Sequence, residues 1–423
     1  MRLMKKLGLA ALVAIPASTV NAGLLEVLRD NGSINAEQYS ELASQKAAKK
    51  AKASEVKLVG RFYADFAHYQ DDKTPLASGA ELRTARLEAK GKYKDNWKFK
   101  AQFGLDNDGT TSRYIWLGYQ FDNSILKAGR LSHASGISNF SSSRYITFME
   151  RAMPVTAFAG DFQQGLEYNW WNDNSGLQVS ALLDSGKPAG SSTTTIDITD
   201  PNGNGLADDG TVSTSSTDSS ADEKFGINAR YSFAPILSES NTLHLGLWTR
   251  YINPPSGKVK VRSRPESHVT DTRLISTSIS NVDGVNTSGV EVAWIGGPLS
   301  FQAEYQNQDI STTTGTDVTL NGYYVTGSYF LTGHTRNYDV GSGTIGRTKL
   351  NGEGAVELAI RYSELDLSEG SGGIGNNVTL GVNWWPRKNI KLAFNQIFAE
   401  VDQAGTAADE DIGISQVRAQ IDF

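Results

Sequence analysis

Residues 413–423, GISQVRAQIDF, place Val417, Ala419, Ile421 and Phe423 on one side of an extended chain and Gln416, Arg418 and Gln420 on the other. The same two-residue period recurs upstream. From residue 58 to 69, Leu58, Phe62, Ala64 and Phe66 share a face opposed by Arg61, Tyr63 and Asp65. From 97 to 107, Phe99, Ala101, Phe103 and Leu105 oppose Lys98, Lys100 and Gln102, and from 377 to 385, Val378, Leu380, Val382 and Trp384 oppose Thr379 and Asn383. One flank of each segment suits lipid and the other suits water, which is the pattern of a transmembrane β-barrel. Mean hydropathy stays slightly negative, at −0.36, because the two flanks cancel.

Segments of this kind fall at 58–69, 80–93, 96–107, 111–121, 123–130, 162–172, 175–184, 222–234, 242–252, 287–295, 298–309, 318–331, 353–366, 374–386, 389–402 and 411–423. About sixteen strands is an even number, as an antiparallel barrel with both ends on one side requires, and leaves an aqueous channel. Tight links at Asp95, Asp122-Asn123, Asp173-Asn174, Gly296-Gly297 and Lys388-Asn389 alternate with longer connections, so the short links are expected at the periplasmic end and the long ones outside. Trp170, Trp171, Trp294, Trp384 and Trp385 sit at strand ends, where amphipathic rings suit the headgroup zone. The fold class read from these patterns is all-β, a transmembrane antiparallel barrel.

Ahead of the barrel, Arg2, Lys5 and Lys6 precede an apolar run over 7–15 and a small-residue cleavage pattern ending at Ala22. Residues 1–22 therefore read as an export leader, 23–56 as a helical periplasmic extension, and 57–423 as the barrel. The apolar run is too short for a permanent membrane helix, and no later stretch approaches the length one needs. The chain has no cysteine, which fits passage through an oxidising compartment. Removing the three leader basics leaves 37 Lys and Arg against 46 Asp and Glu, a net charge near −9, which argues against a nucleic-acid partner. In the extension, Asn35 is a helix cap opening 36–52, a segment ending in lysines. It reads either as a trimerising or peptidoglycan-facing element or as a charged tether. The terminal Phe423 matches the address read by the barrel-assembly machinery of the outer membrane.

Four stretches resemble the phosphate-selective porins O and P: SSRYITFMER at 142–151, GYYVTGSYFLTGHTRNY at 322–338, GAVELAIRYSELDL at 354–367, and LGVNWW at 380–385 followed by LAFN at 392–395. The resemblance covers most of the chain after the leader. It implies a sixteen-stranded homotrimeric barrel in the outer membrane, with a pore narrowed by inward-folded loops and lined by basic residues. It also places a constriction loop at 131–161, with Ser142, Ser143 and Arg144 near the narrowest point. Two departures from the family pattern are expected to loosen phosphate selectivity. Arg83-Thr84 stands where a pair of arginines is usual, and 130–135 reads RLSHAS where a lysine precedes Pro-Phe. His133 could return positive charge at low pH or be incidental.

The residues themselves also point to anions. Within 253–286, Lys258, Lys260, Arg262 and Arg264 alternate with Val259, Val261 and Ser263, so in an extended chain all four cations project the same way about 6.6 Å apart. Neighbouring unit charges at that spacing repel by about 0.6 kcal/mol in water and about 2.5 kcal/mol at an effective dielectric of about 20, so anions belong opposite them. The ladder, with Arg273, reads either as a path along which phosphate or other small anions are handed, or as a solvated outer loop meeting lipopolysaccharide phosphates. Two rungs are lysines, point charges without the fork that fits phosphate bidentately. Arg61, Arg83, Arg86, Lys98, Lys100, Arg361 and Arg418 extend the basic lining, or else pair with Asp65, Glu88 and Asp106 across the lumen.

Other chemistry finds little support. Asp200, Asn202, Asn204 and Asp208 space oxygen ligands like a weak calcium loop, but Thr211 occupies the place of the closing glutamate, so an exposed loop without an ion is the simpler reading. His68, His133, His244, His268 and His334 show no paired spacing, and no nucleophile elbow stands at a strand-to-helix turn, so no enzyme and no cofactor is expected. The function read from sequence is passive diffusion of small anions of the phosphate or polyphosphate kind. A general porin and a soluble secreted β-protein or adhesin are the alternatives.

Overall fold

Alternation makes two surfaces only if neighbouring strands pair in register, and sixteen antiparallel strands do so in sequence order to form a closed barrel. The computed structural model describes residues 29, 35–51, 55–70, 73–94, 96–106, 109–132, 134–160, 162–184, 197–199, 211–213, 224–254, 257–350, 354–403 and 409–423. The leader 1–22, His133 and the candidate calcium ligands Asp200, Asn202, Asn204 and Asp208 lie outside these residues. The wall strands are β1 (Glu55–Gln70), β2 (Gly79–Tyr93), β3 (Trp97–Asp106), β4 (Gly109–Gln120), β5 (Ser124–Ser132), β6 (Phe162–Trp171), β7 (Ser175–Asp184) and β8 (Lys224–Leu237). They continue as β9 (Asn241–Asn253), β10 (Val282–Gly296), β11 (Leu299–Thr312), β12 (Val318–Phe330), β13 (Ala355–Asp366), β14 (Ile374–Arg387), β15 (Ile390–Asp402) and β16 (Glu410–Asp422). Each coincides with one of the sixteen segments expected from periodicity. Separately from the barrel, the helix α1 (Ala36–Ala51) opens as expected at Asn35, whose side chain accepts the Gln38 N–H at 2.8 Å while the Gln38 side chain accepts the Asn35 N–H at 3.0 Å.

The burial of the wall is the inverse of a soluble protein. In β14, Asn377, Thr379 and Asn383 are buried while Val378, Leu380, Val382 and Trp384 are exposed. Leu247 and Ile360 are 59% and 54% exposed on the outer surface. Apolar side chains so placed need a hydrocarbon solvent, and closure leaves no unpaired edge for that solvent to strand. The seam pairs β1 with β16, from Arg61 opposite Asp422 to Gln70 opposite Gly413. Gly60 and Phe423 complete it with two backbone hydrogen bonds of 2.9 and 3.1 Å.

At the end where β1 begins and β16 stops, six connections span two or three residues each: 94–96, 121–123, 172–174, 238–240, 297–298 and 388–389. The seventh, 331–354, breaks the expected rule of short links at this end. Its residues 338–345 form a small hairpin, and Ile345 packs with Ile137 and the wall residues Ala293 and Ile295.

Two connections from the opposite end turn into the lumen. The 133–161 loop carries the short helices α2 (Ile137–Phe140) and α3 (Met153–Ala157). The 254–281 connection forms a hairpin pairing 258–263 with 275–280. Its Val261, Ile275 and Ile279 pack with Met153 and Phe158 against Val285, Ile310, Leu320 and Leu365 of the wall. Apolar side chains face the lumen where a loop covers them.

Candidate functional site

Three of the four alternating cations share one face of the hairpin. Val261 and Ser263 are buried against the wall, while Lys258, Lys260 and Arg262 are exposed on its opposite face. Arg264 leaves the strand and bends back, donating to the Asp271 carboxylate at 2.5 Å and to the Thr270 carbonyl at 2.7 Å. That bond and the charge of Arg264 hold the exposed Asp271 carboxyl below the usual carboxylate range. Arg273 donates to the Asp271 carbonyl at 2.9 Å, and burial together with the like charges of Arg264 and Arg262 lowers its pKa from the ordinary guanidinium value. Among the described residues, Lys260 and Arg262 have no acidic partner.

Lys260, Arg262, Arg264 and Arg273 border one cavity of about 480 Å³, and Arg83 of β2 and Arg151 of the 133–161 loop face them across it. Two acids also border it, Glu150 and Glu266, and both are already engaged. Glu150 takes a fork of 2.8 and 3.0 Å from Arg83 and a third bond of 2.7 Å from Arg418. Burial alone would raise its pKa, but the charges of Arg83 and Arg418 outweigh that and hold the carboxyl well below the usual carboxylate range. Glu266 is bonded to Arg361. Arg151 is itself fixed, donating to the carbonyls of Ser138 and Ser141 at 2.9 and 2.8 Å beside the end of α2.

Ser142 and Ser143 lie against β1, where Arg61 donates to them at 3.4 and 2.8 Å. Arg144 donates to Ser142 at 3.4 Å and stacks over Tyr145. Arg86 also faces the lumen, its Nε without a hydrogen-bond partner, in the field of Arg113, Arg61 and Arg83.

The remaining basic residues are placed differently. Lys98 donates to Gln120 at 2.6 Å near the end of β3, and Lys100 pairs with Glu88 at 3.2 Å under the Tyr114 ring. Arg361 and Arg418, expected on the open anion path, are 5% and 3% exposed and stand behind the 133–161 loop. Arg361 lies over the Phe148 ring and donates to the Glu150 carbonyl, and Arg418 pairs with Asp65 at 2.6 and 2.7 Å. Both tie the wall to the 133–161 loop, Arg361 through the Glu150 carbonyl and Arg418 through the Met149 carbonyl and the Glu150 carboxylate.

Arg151, Glu150, Glu266 and Arg336 were not singled out from sequence. Arg336, in the 331–354 connection, bonds Glu357 and donates to Thr147 at 2.7 Å and to the Tyr145 carbonyl at 3.3 Å. The stretches at 142–151 and 322–338 that carry the family resemblance contain three of these four, so resemblance was the signal that could have found them. Among the described residues no His, Asp and Glu cluster could hold a metal.

The chain matches the family of phosphate-selective porins O and P over residues 56–423. It is 25% identical over 409 residues to Porin O of Pseudomonas aeruginosa, covering 84% of this chain and 85% of that protein. An uncharacterised protein of Caulobacter vibrioides is 26% identical over 369 residues, covering 82% of this chain and 69% of that one. Among solved structures, the anion-selective porin of Comamonas acidovorans shares the fold with a TM-score of 0.53 at 14% identity, over 88% of this chain and all of that one. The trimer form of OmpT from Vibrio cholerae does so with a TM-score of 0.53 at 13% identity, over the same shares. A closed sixteen-stranded wall with an apolar exterior, an inward-turned basic hairpin and a match over nearly the whole barrel place this chain in the phosphate-selective porin O and P family, as a porin of the outer membrane.

Proposed function

We propose that this porin passes small anions of the phosphate kind by passive diffusion, with no chemical step. The observation that supports it is the 480 Å³ cavity bordered by six cations, whose two carboxylates are already committed to arginines. An anion entering from outside meets Lys258, Lys260, Arg262, Arg264 and Arg273 in turn. Lys258, Lys260 and Arg262 stand about 6.6 Å apart along the strand, so the next cation attracts before the last has released and binding does not become trapping. Ser142, Ser143 and Arg144, with Arg61 bonded to both serines and Arg83 and Arg86 on the neighbouring strand, then act on an anion stripped of part of its water.

A general porin with broad anion preference is the second reading. It is favoured by Arg83, the single arginine where the family pattern has two, whose fork is taken by Glu150. Reversal potentials across planar bilayers in a KCl gradient test the proposal, and phosphate titration of the chloride current separates the readings. Anion preference with current blocked by low phosphate is expected. Cation preference would sink both readings.

The rest of the life cycle follows the same proposal. Residues 1–22 direct export and are removed, and 23–56 stays on the periplasmic side. Phe423 presents the assembly address, three copies associate, and the outer rim meets lipopolysaccharide. Calcium in the 197–210 loop remains a weaker idea, which absence of uptake in calorimetry at millimolar calcium would remove.

A further inference from the structure

We infer that Glu266 is the positioning residue of the ladder, a latch that ties the basic hairpin to the pore wall and so sets which ions the channel prefers. The inference rests on the anion-path reading of that hairpin. Glu266 sits at the hairpin's tip, between the rungs Arg264 and Arg273. Its backbone has φ of +57°, a left-handed conformation that a residue with a β-carbon adopts only under constraint from its surroundings.

The surroundings supply that constraint from four directions. Ser363 of β13 donates to one carboxylate oxygen at 2.6 Å, joined by the backbone N–H of Met153 at 3.2 Å. Thr379 of β14 donates to the other at 3.0 Å, joined by the Arg361 guanidinium. Gln416 of β16 donates to the Glu266 carbonyl at 3.2 Å. One side chain, 3% exposed, therefore fastens the hairpin to two wall strands and to α3 of the constriction loop, and its carbonyl fastens to a third strand.

The chemistry is specific to a carboxylate. All four partners of the side chain donate, and two donors meet each oxygen. Glutamine has a single acceptor oxygen, and its amide N–H₂ would face two other donors. The inward turn at +57° also sends the acid toward the wall while Arg262, Arg264 and Arg273 keep to the cavity. Without the latch, the apolar contacts of Val261 and Ile275 still bind the hairpin's stem, and the tip keeps the Tyr69 hydroxyl on Ser267 and Thr270 and the His268–Glu81 pair on its β1–β2 side. It loses all four side-chain bonds toward β13, β14 and α3.

The test uses the full chain, whose lack of cysteine makes an introduced one a unique reporter. A nitroxide on Arg264→Cys reports tip mobility by electron paramagnetic resonance, and unlabelled chains carrying native Arg264 report the anion-to-cation permeability ratio. Glu266→Gln is expected to narrow the spectrum, lower the ratio and introduce current flicker, and Glu266→Asp to restore part of each. Glu167→Gln, which breaks the buried Lys127–Glu167 pair of the wall away from the hairpin, is expected to change none of them. A folded Glu266→Gln barrel with an immobile label and an unchanged ratio overturns the inference. Should that variant fail to fold, Arg361→Gln attacks the same bond from the wall and must give the same two changes, and their absence overturns it equally. If the native channel shows no anion preference, the anion reading falls, and label mobility alone still decides whether Glu266 is a latch.

Discussion

The N–H of Gly60 donates to the carbonyl of Phe423 at 2.9 Å, and the N–H of Phe423 donates back to Gly60 at 3.1 Å, so the final residue closes the wall onto the first strand. A β-carbon on Gly60 would stand 2.4 Å from the Phe423 ring. Gly60→Val is therefore expected to push the exposed ring away from its stack on Phe62 and cost about 0.5–1.5 kcal/mol, the worth of an aromatic pair. Urea unfolding in detergent, followed by heat-modifiable electrophoretic mobility, measures it. Phe423→Ala keeps both backbone bonds, so it should refold in detergent with little loss. In cells the same variant should reach the outer membrane poorly if the ring is the assembly address.

Replacing Lys258, Lys260, Arg262 and Arg264 together by alanine should move the reversal potential in a KCl gradient toward zero. The barrel itself should be little affected, because Lys258, Lys260 and Arg262 are exposed, where substitutions change stability by about 0.5 kcal/mol or less each. Losing Arg264 releases only its bonds to Asp271 and the Thr270 carbonyl within the same hairpin. Unchanged selectivity in a folded barrel would remove the ladder from the permeation path.

Glu150→Gln should loosen the constriction loop. It leaves Arg83 without its fork, at a cost of about 2 kcal/mol at neutral pH for charged hydrogen bonds at a partly exposed site. Because the folded-state pKa of Glu150 is depressed, its stabilising effect is present above the unfolded carboxylate value of about 4.3 and is lost only as pH falls through the depressed one. The stability gap between the native chain and the variant should thus persist from neutral pH to about pH 4 and close only in stronger acid. Thermal unfolding across that range decides it.

Arg336→Met should detach the 331–354 connection from the constriction loop. Removing one partner of the buried Arg336–Glu357 pair costs about 3–5 kcal/mol. Larger single-channel conductance with a lower unfolding temperature is the expected result. Equal conductance would mean that this connection does not narrow the pore.

The wall was legible because its signal is local. In β14 each residue declares its side by its own polarity, and sixteen such segments fix the closed sheet without any knowledge of contacts. The ladder was legible for the same reason, since Lys258, Lys260 and Arg262 alternate with residues that need burial. What sequence did not disclose was long-range pairing. Nothing near Arg361 says that its partner is Glu266, 95 positions away. Parity puts Arg418 on the inner face, but parity cannot tell open lumen from lumen filled by a loop. The 331–354 connection was likewise misplaced by a length rule that ignores what a connection packs against.

The strand that seals the wall also carries Arg418 and Gln420. Arg418 joins Asp65 across the seam while donating to Glu150 at 2.7 Å and to the Met149 carbonyl at 2.5 Å, and Gln420 holds the Arg144 carbonyl at 3.2 Å. Closing the cylinder and anchoring the inward loop therefore draw on the same strand. A wall left open along that seam would also lose these grips on residues 144–150.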